Sequence, residues 1–186
     1  MSKFLVIAEK PSVAQSYAKN LSAYKREDGY LEGESCIVSW CLGHLAEYAQ
    51  PEEYDPKYEK WQFDDLPILP ETWKLKVSKD KKKQFEVIKT LMNRSDVEYL
   101  VNGCDAGREG ELIFQRVYDL AGCRKPVKRL WISSMEDAAI QKGFQTMKSE
   151  EEYKNLCMAA VCRAQADWLI GMEPEHTPRD ILNDWL

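Results

Sequence analysis

Four acidic residues stand where this chain could do chemistry. Glu9 closes an apolar run that starts at Lys3, and Asp105 closes a second that runs from Val97 to Cys104, with Glu109 and Glu111 just beyond. Apolar runs of this kind are buried strands, and an open parallel sheet gathers its ligands at the carboxyl ends of its strands. If the two strands are neighbours, several carboxylates converge on one small volume. Their mutual repulsion then raises a pKa or calls for a cation, and hard oxygen ligands favour Mg2+. Lys10 and Arg108 lie beside the acids, and Pro11 marks a helix start that adds partial positive charge. Gly107 and Gly110 let the backbone turn and come close to a ligand. Acids for a metal, with cations and a helix start for a phosphate, are the equipment of phosphoryl-transfer chemistry. Taken singly, an acid at a strand end is also an ordinary solvated cap. The argument rests on the pairing of two such ends.

The elements that must position these residues alternate. The spacing predicts a strand over Lys3–Glu9, then a helix from Pro11 to about Leu21 with Val13, Ala14, Tyr17, Ala18 and Leu21 on one face. A hairpin follows over Gly29–Leu45, turning at Glu32-Gly33-Glu34. Residues 50–72, rich in Pro, Tyr and Asp, form a long surface excursion, and a short strand spans Trp73–Val77. An amphipathic helix over Lys79–Arg94 turns Phe85, Ile88, Leu91 and Met92 inward behind a lysine-rich start. After the strand Val97–Cys104 comes a helix to about Ala121, closed by Gly122. A third strand spans Val127–Ile132, Ser134 and Asp137 form a capping box for a helix over Met135–Met147, and a last helix runs from Glu150 to about Gly171. The fold class this predicts is α/β, a mostly parallel sheet covered by helices on both faces, with an inserted hairpin and long loop.

Composition narrows the class of protein. The 186 residues are 44% hydrophobic and 31% charged, enough to bury a core in one domain or one domain and part of a second. The net charge of −5 argues against a module that coats DNA by bulk charge, while leaving room for a local basic groove. The apolar stretch Phe4–Ala8 is too short for an export signal or a membrane span, so a cytoplasmic protein with no membrane partner is expected. The six cysteines contain no Cys-x-x-Cys pair and are read as reduced, mostly buried thiols rather than zinc ligands. Cys36 and Cys41, an odd number apart in a strand, should face opposite sides.

Five segments then occur in order: Glu9-Lys10-Pro11-Ser12-Val13-Ala14, Gly43-His44-Leu45, Asp105-Ala-Gly-Arg-Glu-Gly-Glu-Leu-Ile113, Lys128-Arg-Leu-Trp-Ile-Ser-Ser134 and Arg163-Ala-Gln-Ala-Asp-Trp-Leu-Ile-Gly171. Together they resemble the N-terminal part of bacterial type IA DNA topoisomerases of the topoisomerase III kind. The resemblance covers nearly the whole chain to Met172, and its first part is similar to a TOPRIM domain, a Rossmann-like metal-binding fold. It implies a TOPRIM domain over residues 1–150, then over 151–186 the first helix of a strand-binding domain and a divergent, truncated tail.

The same resemblance assigns roles. Glu9 is expected near the scissile phosphate as an acid-base group and metal neighbour, and Lys10 is expected to hold that phosphate. Asp105 and Glu109 match the outer acids of an Asp-x-Asp-x-Glu motif and are expected to bind Mg2+. Gly107 takes the middle acid's place, so water or Glu111 would fill the shell. His44, Arg108 and Arg163 are expected by the DNA backbone. Trp61 is a candidate to stack on a base, or else packs over the hairpin, and Trp168 reads as core. The resemblance implies a parent enzyme that cuts and rejoins one DNA strand through a 5′-phosphotyrosine, with single-stranded DNA and its own downstream domains as partners. Its nucleophilic tyrosine lies far downstream, and none of the nine tyrosines here has a matching context. The chain is therefore expected to be an N-terminal fragment, inactive alone. Two other readings stay open: a stand-alone nuclease using metal-activated water, and a non-catalytic relic that binds metal or DNA.

Overall fold

The computed structural model of the chain describes residues 2–60 and 62–171. Trp61, with its expected base-stacking role, and the tail from Met172 lie outside the described residues.

The first apolar run forms β1 (Lys3–Ala8), and the chain passes at Pro11 into α1 (Pro11–Asn20). Three short strands follow, β2 (Lys25–Glu27), β3 (Tyr30–Glu32) and β4 (Cys36–Trp40). The expected hairpin is the β3–β4 pair, and β2 extends it by one antiparallel strand that its charged sequence concealed. Next, β5 (Ala46–Tyr48) and β6 (Leu75–Val77) pair as a separate antiparallel ribbon. That ribbon closes the base of the long excursion, which consists of single 3-10 turns at Pro51–Glu53, Pro56–Lys60 and Phe63–Asp65. Then come α2 (Lys82–Met92), β7 (Val97–Gly103), α3 (Arg108–Ala121), β8 (Val127–Arg129), α4 (Asp137–Gln145), β9 (Lys148–Ser149) and α5 (Lys154–Gly171).

The main sheet has the order β2-β3-β4-β1-β7-β8-β9. Its centre, β4-β1-β7-β8, is parallel, and the antiparallel strands lie at the edges. Alternate residues of β1 feed two cores, as the two-residue period requires. Leu5 and Ile7 pack with Ile88, Met92, Phe114 and Val117 under α2 and α3, whereas Val6 and Ala8 pack with Val13, Ala14, Tyr17 and Ile140 under α1 and α4. Cys36 and Cys41 fall into opposite cores, as their odd offset predicts. Gly122 ends α3 with φ of 64°, a left-handed conformation that glycine adopts without a Cβ penalty. A third layer is added where α5 packs along α3.

One local expectation fails. No capping box forms at Ser134. Glu136, with extended backbone (φ −66°, ψ 140°), takes the cap position of α4, and Ser134 Oγ accepts instead from Glu136 N at 3.3 Å. The serine therefore makes a short turn ahead of the helix, which starts two residues later than its composition suggests. Likewise the regular ladder of β8 ends at Arg129, though Leu130 N still donates to Asn102 O at 3.0 Å.

Candidate metal and phosphate site

Because β1 and β7 are adjacent and parallel, their carboxyl ends open on the same edge. Ala8 pairs with Gly103, which brings Glu9 level with the start of the Cys104–Gly107 turn. The contact is direct: Asp105 N donates to Glu9 Oε2 at 3.2 Å. The two acids are thus neighbours, as the pairing of strand ends requires. Beneath them Tyr17, buried on α1, donates its hydroxyl to Gly103 O at 3.0 Å. Burial pushes that phenol well above its usual range, so it acts as a fixed donor.

The turn after Asp105 is shaped by Gly110. A Cβ at this position would lie 2.1 Å from the Asp105 carbonyl oxygen, so only glycine lets the first turn of α3 sit against the Asp105 backbone. Gly107 differs: its φ of 165° is extended backbone open to any residue, and a Cβ there would meet nothing within 4 Å. Space for a third acid therefore exists at Gly107 without a side chain to fill it.

Glu109 and Glu111 do not share the site. Two residues apart on one helix they point about 200° apart, so only one can face the strand ends. Glu109 is the outward one, with a side chain 67% exposed and its Oε1 hydrogen-bonded to His44 Nε2. Glu111, expected as a substitute metal ligand, turns inward and is corrected to a structural role. Its Oε1 pairs with Arg129 Nε at 2.6 Å, and both side chains have no exposure. Arg129 also donates to the carbonyls of Asn102 (3.1 Å), Cys104 (2.7 Å), Leu130 (2.8 Å) and Asp105 (2.8 Å). A buried guanidinium thus satisfies the carbonyls at the end of β7 and holds the Asp105 turn from below, and Glu111 is the counter-charge that makes its burial tolerable. Asn102 and Glu150 complete this network: Asn102 Nδ2 donates to Glu111 Oε2 at 3.4 Å and to Glu150 Oε1 at 3.3 Å. Neither Asn102, Arg129 nor Glu150 stood out in the sequence as a site residue. The available signal was a polar side chain inside an apolar strand, at Asn102 in Val97–Gly103; the Val-Lys-Arg strand that holds Arg129 gave none.

The cations surround the acids. Lys10, Ser12, Ser16, Asp105 and Ser133 line one cleft of about 520 Å³, and Asp105, Gly107, Arg108, Glu109 and Arg163 line another of about 490 Å³. Arg163 reaches the second cleft from α5 and contacts Asp167 at 3.5 Å along its own helix. His44 enters on a turn anchored three ways: Gly43 N donates to Glu9 O at 3.3 Å, Lys81 Nζ to His44 O at 2.8 Å, and Ser78 N to Leu45 O at 3.0 Å. A larger cavity of about 720 Å³ lies away from the acids, between α3, β8 and the start of α5. Trp168 serves packing, as expected: its Nε1 donates to Ala49 O at 3.1 Å, and its ring meets Tyr54 and Trp73.

Among the described residues no cluster of three His, Cys, Asp or Glu side chains is already closed around a metal-sized space. The donor set nevertheless suits a hard cation. Asp105 and Glu109 line one cleft, the Glu9 carboxylate accepts from Asp105 N beside them, and neither Glu9 nor Asp105 has a basic side-chain partner among the described residues. Such an open shell of carboxylates, completed by water or phosphate oxygen, is how Mg2+ is held.

A mostly parallel sheet with helices on both faces and paired acids at its carboxyl edge defines an α/β class of domain, and the chain belongs to one family of that class, the Toprim domain family, whose profile matches residues 4–135. Over 172 residues it is 50% identical to DNA topoisomerase 3 of Bacillus subtilis and 51% identical to that of Bacillus anthracis. Those alignments cover 92% of this chain and 24% of each relative, so the chain spans about a quarter of their length. The full-length topoisomerase I of Thermotoga maritima has the same fold over 78% of this chain and 21% of its own, with a TM-score of 0.51 and 18% identity. Among the described residues no helix is long and apolar enough to cross a membrane.

Proposed function

We propose that this chain is the metal- and phosphate-binding part of a type IA DNA topoisomerase of the topoisomerase III kind, which cuts and rejoins one strand of DNA through a 5′-phosphotyrosine. The observation that carries the reading is the Glu9–Asp105 contact at adjacent parallel strand ends, with Lys10 beside it. It is supported by the similarity to the Bacillus enzymes.

In this reading Asp105 and Glu109, with Glu9 behind them, hold Mg2+, which when bound offsets phosphate charge. Lys10 holds the scissile phosphate and offsets the charge that develops on it. The tyrosine comes from outside these 186 residues; its hydroxyl passes its proton to water and its oxygen bonds to phosphorus as the bond to the 3′ oxygen breaks. Glu9 gives that departing oxygen a proton and takes it back on rejoining. Arg108 and Arg163 grip the strand's backbone, and α5 leads into the strand-binding domain. Tyr17 is no substitute nucleophile, because its hydroxyl is buried and bonded to Gly103 O.

Gel assays test this. The purified chain with Mg2+ should neither relax negatively supercoiled DNA nor form a covalent adduct with a labelled single strand, and relaxation should return when the remaining three quarters of a topoisomerase 3 is supplied. Metal-dependent nicking by the chain alone, lost in Asp105→Ala, would replace this reading with a nuclease. Calorimetry supplies a second check: Gly107→Asp, for which the structure has room, should tighten Mg2+ binding.

A further inference from the structure

His44 sits on the one acid of the site that has a side-chain partner among the described residues. Its Nε2 is hydrogen-bonded to Glu109 Oε1, while its Nδ1 is buried with no partner among the described residues. A carboxylate oxygen accepts, so the proton of this hydrogen bond sits on His44 Nε2, which donates it to Glu109. The backbone of His44 is clamped by Lys81 and its neighbours Gly43 and Leu45 are tied to Glu9 and Ser78, so the ring can move only by side-chain rotation. Glu109, 67% exposed at the start of α3, is equally able to turn. The Oε1 that accepts from His44 has the lone pairs a cation would need.

We propose that His44 and Mg2+ compete for the Glu109 carboxylate, so that cation binding releases the His44 Nε2–H and frees it to donate to an incoming phosphate. The inference rests on the reading of Glu9, Asp105 and Glu109 as a metal site. It adds that metal affinity and the availability of this donor are linked. Each cation bound costs one hydrogen bond and yields one free donor at the rim of the same opening.

The test uses the full chain with ring-labelled histidine and MgCl2 as the probe, at matched ionic strength. The sequence has two histidines, and His44→Gln assigns the signal. Nuclear magnetic resonance should show the His44 Nε2 and Cε1–H signals moving saturably, in step with the calorimetric Mg2+ isotherm. Removing the competitor in His44→Ala should tighten Mg2+ binding about two- to tenfold, the range one net hydrogen bond allows. Glu109→Gln gives a second handle, since its amide oxygen still accepts from His44 but binds Mg2+ poorly; it should weaken binding and leave the His44 signals still. Saturable Mg2+ binding with fixed His44 signals, or unchanged affinity in His44→Ala, would overturn the competition alone. Absence of saturable Mg2+ binding in the parent chain would overturn the metal reading beneath it.

Discussion

Glu150 is the second carboxyl around a single buried guanidinium, and it should make the stability of this domain fall as pH rises. Arg129 already gives its Nε to Glu111 at 2.6 Å and its other donors to backbone carbonyls. Glu150 is left with Asn102 Nδ2 on one oxygen at 3.3 Å, and its Oε2 is buried without a partner among the described residues. Burial first, and then the neighbouring charge of Glu111, push its carboxyl from 4.5 up to about 7, against the opposing pull of Asn102 and Arg129. The folded chain holds this proton more tightly than the unfolded one, so the stabilisation is complete below about pH 4.5 and is lost as pH rises towards 7. A shift of that size corresponds to about 3 kcal/mol at most, and to about 2 kcal/mol after allowing for partial contact with water. Glu150→Gln keeps the shape, keeps an oxygen for Asn102 and places an amide donor towards Glu111. Urea unfolding from pH 5 to 8 should therefore show variant and parent nearly equal at the acid end, and the variant more stable by about 2 kcal/mol at pH 8. The difference between the two profiles is the observable, because Glu32, Asp96 and Asp137, whose carboxyls their basic partners hold low, add an opposite slope to both. Parallel profiles with a constant offset would refute the shared-proton account of this cluster.

Two further outcomes follow from the packing. Gly110→Ala would drive a Cβ into the Asp105 carbonyl at 2.1 Å, so it should cost about 1–3 kcal/mol in denaturant unfolding and weaken Mg2+ binding, whereas Gly107→Ala, with nothing within 4 Å, should do neither. Equal effects of the two would show that the close approach of α3 to the Asp105 backbone is not real. Trp168→Ala removes a half-buried indole and its bond to Ala49 O; it should lower stability by about 1–3 kcal/mol and increase protease cutting within residues 50–72, with the Mg2+ isotherm unchanged.

The parts of the fold that depend on periodicity were legible in the sequence. The runs at Lys3 and Val97 have nowhere to go but the middle of a sheet, and Val13, Ala14, Tyr17 and Ala18 mark the buried stripe of α1. That Glu9 and Asp105 would share one edge was legible too, since both close strands of a mostly parallel sheet; that those strands are neighbours came from the structure. What stayed hidden was pairing that follows from tertiary context. Strand β2 reads Lys-Arg-Glu, and its place at the sheet edge comes from partners rather than from apolar pattern. Strand β5 is three residues long and is defined by β6, which arrives after a long detour. The cap of α4 is hidden too, because Ser134 satisfies a turn before the helix begins. Direction along a helix is legible as well: Glu109 and Glu111 cannot both face one site, and the helical period alone says so.

A parallel strand that ends in a functional turn leaves its last carbonyls without ladder partners, and inside a protein each such carbonyl needs a donor. At the end of β7 Arg129 serves Asn102, Cys104 and Asp105 together, and Tyr17 serves Gly103. A cation buried to that depth requires a negative partner, and the inward face of the first turn of α3 supplies Glu111. The outward face of the same turn presents Glu109 to the opening, and Gly110 between them lets the helix lie against Asp105. One short segment therefore sets the position of the site's acid, the charge that anchors the turn from below and the close approach that joins them. Substitutions at Glu111 should consequently reach the site through the position of Asp105, with no loss of a ligand. The KM-against-kcat pattern of an assembled enzyme carrying Glu111→Gln would separate the two. A pure loss of metal affinity restored by high Mg2+, with unfolding stability unchanged, would return Glu111 to the ligand shell and contradict the buried pair.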